Sequence, residues 1–383
     1  MTAPTAIGVL GGGQLGRMLA RAGARDGHRF RFLDADPGAC AQHEGELIVG
    51  PFEPGPQLDR FADGLDAVTY EFERVPAAVV EHLHRRGLIV RPGPASLRAA
   101  QDRLAERSLL RELGVDTPRF ASVEAEDNLP RALLEVDAAG RGAILKARVS
   151  GYDGKGQAVL EPDRAETDRA ARDRAAAAFR ELGGSPAILD ERAPFDRELS
   201  IVAARAATGS IVSFPLAENR HERGILRTTV APAPEVPPEL ERTAREAGAA
   251  LLERLDHIGV LALEFFQVGG RLLANEFAPR VHNSGHWTIE GATPSQFEAH
   301  LACVLGREPP PPTTDRAWAM ANIIGADPEP GAFDGVPGAS VHLYGKSPRP
   351  GRKLGHVTAP ADSPRRAREL ASRLASAAPF VLE

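Results

Sequence analysis

The first sixteen residues restrict the fold more than any other part of the chain. A short apolar run at 6–10 is followed at once by Gly11-Gly12-Gly13-Gln14-Leu15-Gly16, and residues 17–22 have the composition of a helix. This order predicts a buried strand, a glycine loop and a helix N-terminus, which together favour the binding of an anion. A second predicted strand at 30–33 ends in Asp34-Ala35-Asp36, an acidic position typical of dinucleotide-binding folds. Tight packing of the helix on the strand, without a ligand, is the alternative explanation of the glycines.

Further strands at 67–70 and 88–90, with a helix at 76–86 between them, complete a doubly wound α/β unit at residues 1–95. Glu71 follows one of these strands directly. Open α/β sheets bind ligands at the carboxyl ends of their strands, so we predict that Glu71 contacts a hydroxylated or amine-bearing ligand. A surface-loop acid is the alternative.

A helix predicted from Ser96 to about Leu113 leads into a second unit. There a strand at 143–146 ends in a lysine, and a loop at 150–157 contains three glycines around another lysine. Such a loop can close over phosphates, with Lys146 and Lys155 supplying positive charge to different phosphate groups. It is not a Walker loop, because no Gly-Lys-Ser/Thr opens a helix. A flexible hairpin turn is the alternative.

The densest polar run, at 275–286, follows a predicted β-hairpin that turns at Gly269-Gly270. A three-residue loop would place Glu264 opposite Glu276, whereas a two-residue turn would place Asn275 there. Two facing carboxylates repel each other, so we expect a cation between them. Carboxylate oxygens that leave room for phosphates suit Mg²⁺. A solvated, polar-faced hairpin is the alternative.

Four prolines at 309–312 predict a rigid linker, and four cations between Lys346 and Lys353 could hold a phosphate ester. An exposed basic loop is the alternative. A net charge of −6 gives no general reason to bind nucleic acid or an anionic membrane. The two cysteines, Cys40 and Cys303, do not suggest a disulfide framework. Lacking both a signal peptide and a membrane-spanning apolar run, the chain is predicted to be cytoplasmic.

Four motifs occur together and in order. They are Gly-Gly-Gly-Gln-Leu-Gly-Arg-Met at 11–18, Gly-Tyr-Asp-Gly-Lys-Gly-Gln at 151–157, Asn-Glu-Phe-Ala-Pro-Arg-Val-His-Asn-Ser-Gly-His at 275–286, and Arg-Pro-Gly-Arg-Lys-Leu-Gly-His at 349–356. In combination they closely resemble the N5-carboxyaminoimidazole ribonucleotide synthases of purine biosynthesis, which are ATP-grasp enzymes. The resemblance covers nearly the whole chain.

The fold implied by the resemblance is α/β and α+β, in three parts. They are a Rossmann-like domain at 1–95, a central ATP-grasp domain at 96–308 with a mobile lid at about 116–193, and a small β-rich C-terminal domain at 309–383. Two positions depart from the expected pattern. Asp190 stands where many members have Glu, and Ala278 stands where several other ATP-grasp families carry a metal-binding Asn.

Site residues are likewise implied by the resemblance. The ATP contacts are Arg103, Lys146, Gly151, Tyr152, Asp153, Gly154, Lys155, Gly156, Gln157, Asp190, Glu191, Arg192, Ala193, Glu198, His221, Asn275 and Glu276. The metal ligands are Glu264 and Glu276, for Mg²⁺ or Mn²⁺. Related enzymes that act on glycinamide ribonucleotide suggest Gln14, Leu15, Glu71, Asn283, Lys346, Arg352 and Lys353 as ribonucleotide contacts. The catalytic candidates are Tyr152, Asp153, Lys155, Arg280 and His282.

The implied activity is that of an ATP-dependent carbon–nitrogen ligase. ATP would activate bicarbonate as carboxyphosphate, and the exocyclic amine of aminoimidazole ribonucleotide would attack this intermediate or the CO₂ released from it. A homodimer is also implied, with a separate mutase receiving the product. The competing functions are a nicotinamide-dependent dehydrogenase, a non-catalytic nucleotide sensor and the formate-using glycinamide ribonucleotide transformylase. The first leaves the second glycine loop and the paired glutamates unexplained.

Overall fold

The computed structural model describes residues 5–149, 156–162 and 168–382, and across these ranges the strands form three sheets. Within the same ranges, no helix combines the length and the apolar character that crossing a membrane requires.

The N-terminal unit is a parallel sheet with helices packed against it. Its elements are β1 (Ala6–Leu10), α1 (Gln14–Ala24), β2 (Arg29–Asp34), β3 (Glu46–Val49), α2 (Pro56–Ala62), β4 (Ala67–Tyr70) and α3 (Ala77–Arg85). The strand order is β3-β2-β1-β4, as expected for alternating strands and helices. The strand predicted at 88–90 is reduced to one parallel bridge, between Val68 and Val90. Pro92 follows closely and has no N–H with which to extend the ladder.

The prediction of one continuous helix from Ser96 to about Leu113 is wrong. The chain forms α4 (Pro94–Gln101) and α5 (Arg103–Glu112), which are separated at Asp102. The Asp102 backbone is extended, and its carboxylate accepts from the backbone N–H of Leu104 at 2.9 Å. This is an N-cap, which stabilises a new helix start. The residues that follow therefore belong to a separate helix with its own direction.

A second sheet lies within the segment predicted to be the lid and is called the lid below, and its helices cover one face. Its elements are β5 (Phe120–Val123), α6 (Leu129–Glu135), α7 (Ala138–Arg141), β6 (Ala143–Ala147), β7 (Gln157–Leu160), α8 (Asp168–Glu181) and β8 (Ala187–Glu191), with strand order β5-β8-β6-β7. Leu145 and Leu189 pack under α6 and α8. Because side chains alternate along a strand, Lys146 and Asp190 lie on the opposite face, away from α6 and α8.

The third sheet is antiparallel and runs from the central part of the chain into its C-terminal part. Its elements, with the helices between them, are β9 (Arg197–Arg205), β10 (Ile211–Ser213), β11 (Ala217–Glu222), β12 (Ile225–Ala231), α9 (Pro238–Arg254), β13 (Gly259–Val268), β14 (Arg271–Ala278), α10 (Thr288–Gly291), α11 (Gln296–Val304), β15 (Ala317–Ile324), β16 (Ser340–Leu343), β17 (Lys353–Ala361) and α12 (Pro364–Ala377). The order is β14-β13-β9-β11-β12-β15-β17-β16, with β10 paired to β9. The C-terminal strands thus continue the central sheet through the β12–β15 pairing.

Packing of α9 identifies the face of this sheet on which Glu264 lies. The helix presents a stripe at helical spacing, which includes Leu240, Ala244 and Leu251, to a core that contains Leu263 and Phe265 of β13. Strand alternation then places the intervening residues of β13, including Glu264, on the other face.

Candidate active site

A β-bulge sets the register of the β13–β14 hairpin. Val268 pairs with Arg271, so the turn is the two-residue Gly269-Gly270 and the three-residue loop is wrong. The register then shifts by one residue at Asn275, and Glu264 lies directly opposite Glu276. The predicted pairing of the two glutamates is therefore confirmed, although the bulge brings it about and not a longer loop.

The two facing carboxylates have different electrostatic surroundings. Burial of Glu264, reinforced by repulsion from Glu276 and Glu198, raises the pKa of Glu264 to about 7. Partial burial would also raise the pKa of Glu276, but Arg103 and Lys146 outweigh that effect and lower it to about 2. The pair thus combines one firmly ionised carboxylate with one that needs an added cation to become ionised easily.

This pair fits a hard divalent cation that has other ligands besides the protein. Over the described ranges, no group of three or more His, Cys, Asp or Glu side chains is arranged to hold a metal ion. Two facing carboxylates are nevertheless what Mg²⁺ uses when phosphates and water complete its shell. Burial, and then repulsion from nearby carboxylates, raises the pKa of Glu264. A cation bound between the two glutamates would therefore stabilise the ionised form of Glu264.

Helix α5 contacts β14 with three residues at helical spacing. Arg103 donates to Glu276 at 3.1 Å, and Glu106 accepts from the backbone N–H of Phe277 at 2.6 Å. Arg107 donates to the side chain of Asn275 at 3.2 Å. Of the three helix residues, only Arg103 was predicted. The i, i+3, i+4 spacing from Arg103 is the sequence signal that could have found the other two.

Asp190 holds a cation of the lid. Its carboxylate accepts from Lys146 at 2.8 Å and from Arg107 at 3.1 Å, and its side chain is 3% exposed. The amides of Glu191 and Arg192 donate to the carbonyls of Arg119 and Gly142. The ATP contact predicted at 190–193 would therefore have to use the other backbone groups of that segment.

Glu198 and His221 form an ion pair on the same sheet face as the glutamates. Nδ1 of His221 lies 2.9 Å from the Glu198 carboxylate. Burial would lower the pKa of His221, but the hydrogen bond to Glu198 and the nearby Glu264 raise it. Both predicted nucleotide contacts are thus brought together at this face.

The N-terminal glycine loop has a carboxylate of the protein inside it. Glu71 accepts from the backbone N–H of Gly13 at 2.5 Å and of Gly16 at 2.6 Å, and Asp34 accepts from Gly12 at 2.7 Å. A Cβ at Gly13 would lie 2.5 Å from Glu71, so a side chain there would clash. Burial raises the pKa of Glu71. Glu71, predicted to contact the ribonucleotide, is itself a structural ligand of the loop.

The other predicted ribonucleotide contacts converge from two parts of the chain. Lys346 donates to the side chain of Gln14, which joins the basic turn to the glycine loop, where Leu15 is buried. Lys353 lies near enough to Glu264 to lower its pKa, although burial outweighs it. Both polar side-chain atoms of Asn283 are buried and have no hydrogen-bond partner within the described part of the chain.

Arg352 is farther out in the basic turn and donates to the carbonyl of Ser347 at 3.2 Å. The catalytic candidate Arg280 is held by the N-terminal unit, because its Nε donates to Glu73 at 2.7 Å and its Nη2 approaches the same carboxylate at 2.6 Å. Glu73 was not predicted as a site residue.

His282, the second catalytic candidate among the described residues, is neutral. Burial, with Arg280 adding to it, lowers the pKa of His282 to about 3. The backbone N–H of Ser284 points to Nδ1 at 3.3 Å, which leaves the proton on Nε2, 3.5 Å from Glu264.

Five predicted residues, Gly151, Tyr152, Asp153, Gly154 and Lys155, lie outside the described residues. Of the same motif, Gly156 accepts from the amide of Ala147 at 2.8 Å, and Gln157 begins β7 opposite Lys146. The described end of the loop therefore leaves the sheet beside Lys146.

Comparison with known proteins agrees with this geometry. Residues 4–101 match the ribonucleotide synthetase preATP-grasp domain, residues 108–297 match the ATP-grasp domain, and residues 319–370 match the phosphoribosylaminoimidazole carboxylase C-terminal domain. The N5-carboxyaminoimidazole ribonucleotide synthase of Pseudomonas aeruginosa is 46% identical over 352 residues, which covers 92% of this chain and 93% of the relative. The chain belongs to the N5-carboxyaminoimidazole ribonucleotide synthase family.

Solved structures of this family superimpose over almost the whole chain. The synthetase from Thermus thermophilus is similar with a TM-score of 0.89 and 47% identity, covering 98% of this chain and 99% of that one. The synthase from Aspergillus clavatus, solved in complex with ADP and 5-aminoimidazole ribonucleotide, has a TM-score of 0.84 and 29% identity, with 98% and 99% coverage. The predicted fold class is thereby confirmed, and the predicted bounds of the three parts stay a prediction.

Proposed function

We propose that this protein carboxylates 5-aminoimidazole ribonucleotide to N5-carboxyaminoimidazole ribonucleotide in purine biosynthesis, using ATP and bicarbonate and releasing ADP and phosphate. The observation that carries the proposal is the Glu264–Glu276 pair. Arg103 and Lys146 act electrostatically on Glu276, and Lys353 acts on Glu264. Arg280 acts on His282, whose ring lies 3.5 Å from Glu264.

Phosphoryl transfer to bicarbonate needs positioning and neutralisation of charge more than covalent chemistry. A bound Mg²⁺, for which Mn²⁺ could substitute, would be held by Glu264 and Glu276 and would neutralise charge on the transferred phosphate. Lys146 supplies a fixed positive charge from the lid, held by Asp190 at 2.8 Å. The loop at 150–157 would exclude water from carboxyphosphate, which hydrolyses readily.

Arg280 and His282 are suited to hold the anionic acceptor. The guanidinium of Arg280 is fixed by Glu73, so its direction is set before a substrate binds. His282 has its proton on Nε2, since the Ser284 amide points to Nδ1. This tautomer donates a hydrogen bond, which favours orientation of bicarbonate over abstraction of the amine proton.

The dehydrogenase alternative conflicts with the contacts of the glycine loop. A dinucleotide phosphate would need the amides that Gly13 and Gly16 donate to Glu71. Lys346 beside Gln14 instead suits the phosphate of a ribonucleotide at the rim of the loop. The product would pass to a separate mutase, and we expect a cytoplasmic homodimer.

The test is ADP release from Mg²⁺-ATP and bicarbonate, with and without aminoimidazole ribonucleotide. We expect release to require the ribonucleotide and to fall at least about 100-fold in Glu276→Gln, because an uncharged amide is a poor Mg²⁺ ligand. Glu253→Gln is the matched control, since Glu253 is exposed on α9. Stimulation by glycinamide ribonucleotide with formate, and not by aminoimidazole ribonucleotide, would assign the chain to the transformylase reaction.

A further inference from the structure

Arg107 is a fully buried cation in the middle of the site, and the nucleotide contacts implied by the family do not include it. Its side chain is 2% exposed and lies between the lid and the central sheet. One nitrogen, Nη2, donates to Asp190 of the lid at 3.1 Å and to Asn275 of β14 at 3.2 Å. A charged side chain is rarely buried so completely unless it is paired and has a role.

The two partners of Arg107 belong to the lid sheet and to the central sheet, and both sheets carry predicted ATP contacts. Asp190 is on β8, on the lid face opposite α6 and α8. Asn275 is the bulge residue next to the metal candidate Glu276. Arg107 therefore connects the lid to the strand position that sets the register of the two glutamates.

Charge within the cluster explains why a second cation is needed. Asp190 accepts from Lys146 and from Arg107 through the same oxygen, Oδ2. If Lys146 were the only partner of Asp190, the carboxylate would neutralise the ammonium charge and draw the ammonium away from a phosphate. With Arg107 present, the three side chains carry a net charge of one positive unit.

Besides Asp190, the charges of this cluster act on Glu276 and Glu106, but several hydrogen-bonding atoms of the cluster are left for a ligand. Nε and Nη1 of Arg107 and Oδ1 of Asp190 are buried and have no hydrogen-bond partner within the described ranges. Lys146 is also near enough to Glu276 to lower its pKa, against the opposite effect of burial. The positive unit therefore lies next to the proposed metal position, where phosphates would bind.

We propose that Arg107 is a positioning residue that acts through Asp190: it leaves the Lys146 ammonium free to bind the nucleotide phosphates and fixes the lid against the Asn275 bulge. The inference rests on the proposed function for the identity of the reaction, but it predicts a nucleotide-binding effect that can be measured without turnover.

The test compares the full-length protein with Arg107→Met, Arg107→Lys and Arg107→Gln. The dissociation constants of Mg²⁺-ADP and of adenosine are measured by calorimetry, together with the KM values for ATP and for aminoimidazole ribonucleotide. We expect Arg107→Met to weaken Mg²⁺-ADP binding and to raise the KM for ATP by about tenfold or more, because a buried charge near the phosphates is lost. Adenosine binding and the KM for the ribonucleotide should change by less than about twofold.

Arg107→Lys should recover much of the ADP affinity, because it restores the charge. Arg107→Gln retains hydrogen-bond donors without the charge and takes the place of Arg107→Met if that variant does not fold. Arg111→Met is the matched control: Arg111 is one helical turn away, is exposed, and donates to Thr117 and Pro118. We expect it to bind ADP like the unchanged protein.

Equal weakening of ADP and adenosine binding by Arg107→Met would overturn the proposal, since it would show a general disturbance of the site and no specific effect on phosphate binding. Unchanged ADP binding would overturn it as well. Failure of the unchanged protein to release ADP in response to the ribonucleotide would refute the proposed function alone. The calorimetric comparison would still decide the role of Arg107.

Discussion

Two buried histidines are expected to make the junction between the N-terminal unit and the central sheet sensitive to acid. Nδ1 of His300 accepts from the backbone N–H of Val260 at 3.0 Å, and its Nε2 donates to Thr69 at 2.8 Å. His257 donates from Nε2 to the Val260 carbonyl at 3.0 Å and accepts from Ser96 at 2.9 Å. These partners fix each ring in one neutral tautomer. A proton on Nδ1 of His300 would face an N–H group, so that hydrogen bond would be lost.

The size of the stability loss follows from the difference between the histidine pKa values in the folded and the unfolded chain. Burial lowers the pKa of His257 to about 4 and of His300 to about 3, from an ordinary value of 6.5. As the pH falls below 6.5, the unfolded chain binds protons that the folded chain does not, so the free energy of unfolding decreases. At about pH 5 each histidine accounts for about 2 kcal/mol of this loss, or about 4 kcal/mol together.

The assay is urea unfolding at about pH 7.5 and about pH 5, followed by circular dichroism. A variant with both His257→Gln and His300→Gln should be less stable at the higher pH. On acidification it should lose about 4 kcal/mol less than the unchanged protein, because glutamine does not titrate. His43→Gln, at an exposed position, is the control and should behave like the unchanged protein. Equal loss in the double variant and the unchanged protein would refute the argument.

Two further predictions concern stability. Arg227 is buried and donates to the carbonyls of Asn322 and Ala378 at 2.7 Å each. Arg227→Met should therefore lower the free energy of unfolding by about 2–4 kcal/mol and speed amide exchange in α12. Unchanged amide exchange in α12 would contradict this prediction. Asp102→Ala should cost about 1–2 kcal/mol in urea unfolding because it removes both the cap on Leu104 and the ion pair with Arg148. Asp102→Asn keeps a capping side chain without the charge and should recover part of that loss; no recovery would show that the cap is not responsible.

Features that depend on local pattern were predictable from the sequence. The strand–glycine–helix order at 6–16 indicated the N-terminal unit, and alternation in β13 indicated the hairpin that carries Glu264. The pairing of Glu264 with Glu276 was also predicted, as one of two registers. These features depend on side-chain periods of 2 and 3.6 residues, which can be read along the chain.

Features that depend on tertiary partners were not predictable in the same way. Asn275 looks like any other strand residue, and its bulge is apparent only from the pairing with β13. Asp102 falls inside the single helix that the sequence predicts, although a capping aspartate is a recognised helix-start signal. Glu71 was predicted to bind a ligand because it follows the carboxyl end of a strand. Its position 2.5 Å from the Gly13 amide depends on which strands are neighbours in the sheet, and the spacing along the chain does not show this.

The hairpin of Glu264 and Glu276 has a consequence for the insertions and deletions that this chain can accept. A two-residue turn plus one bulged residue offsets the strands by the same amount as a three-residue turn without a bulge. One residue can therefore move between the tip of the hairpin and the strand while the carboxylates remain opposite each other. Deletion of the bulged Asn275 alone would leave a regular ladder on the two-residue turn, and the second glutamate would then occupy position 275, again opposite Glu264.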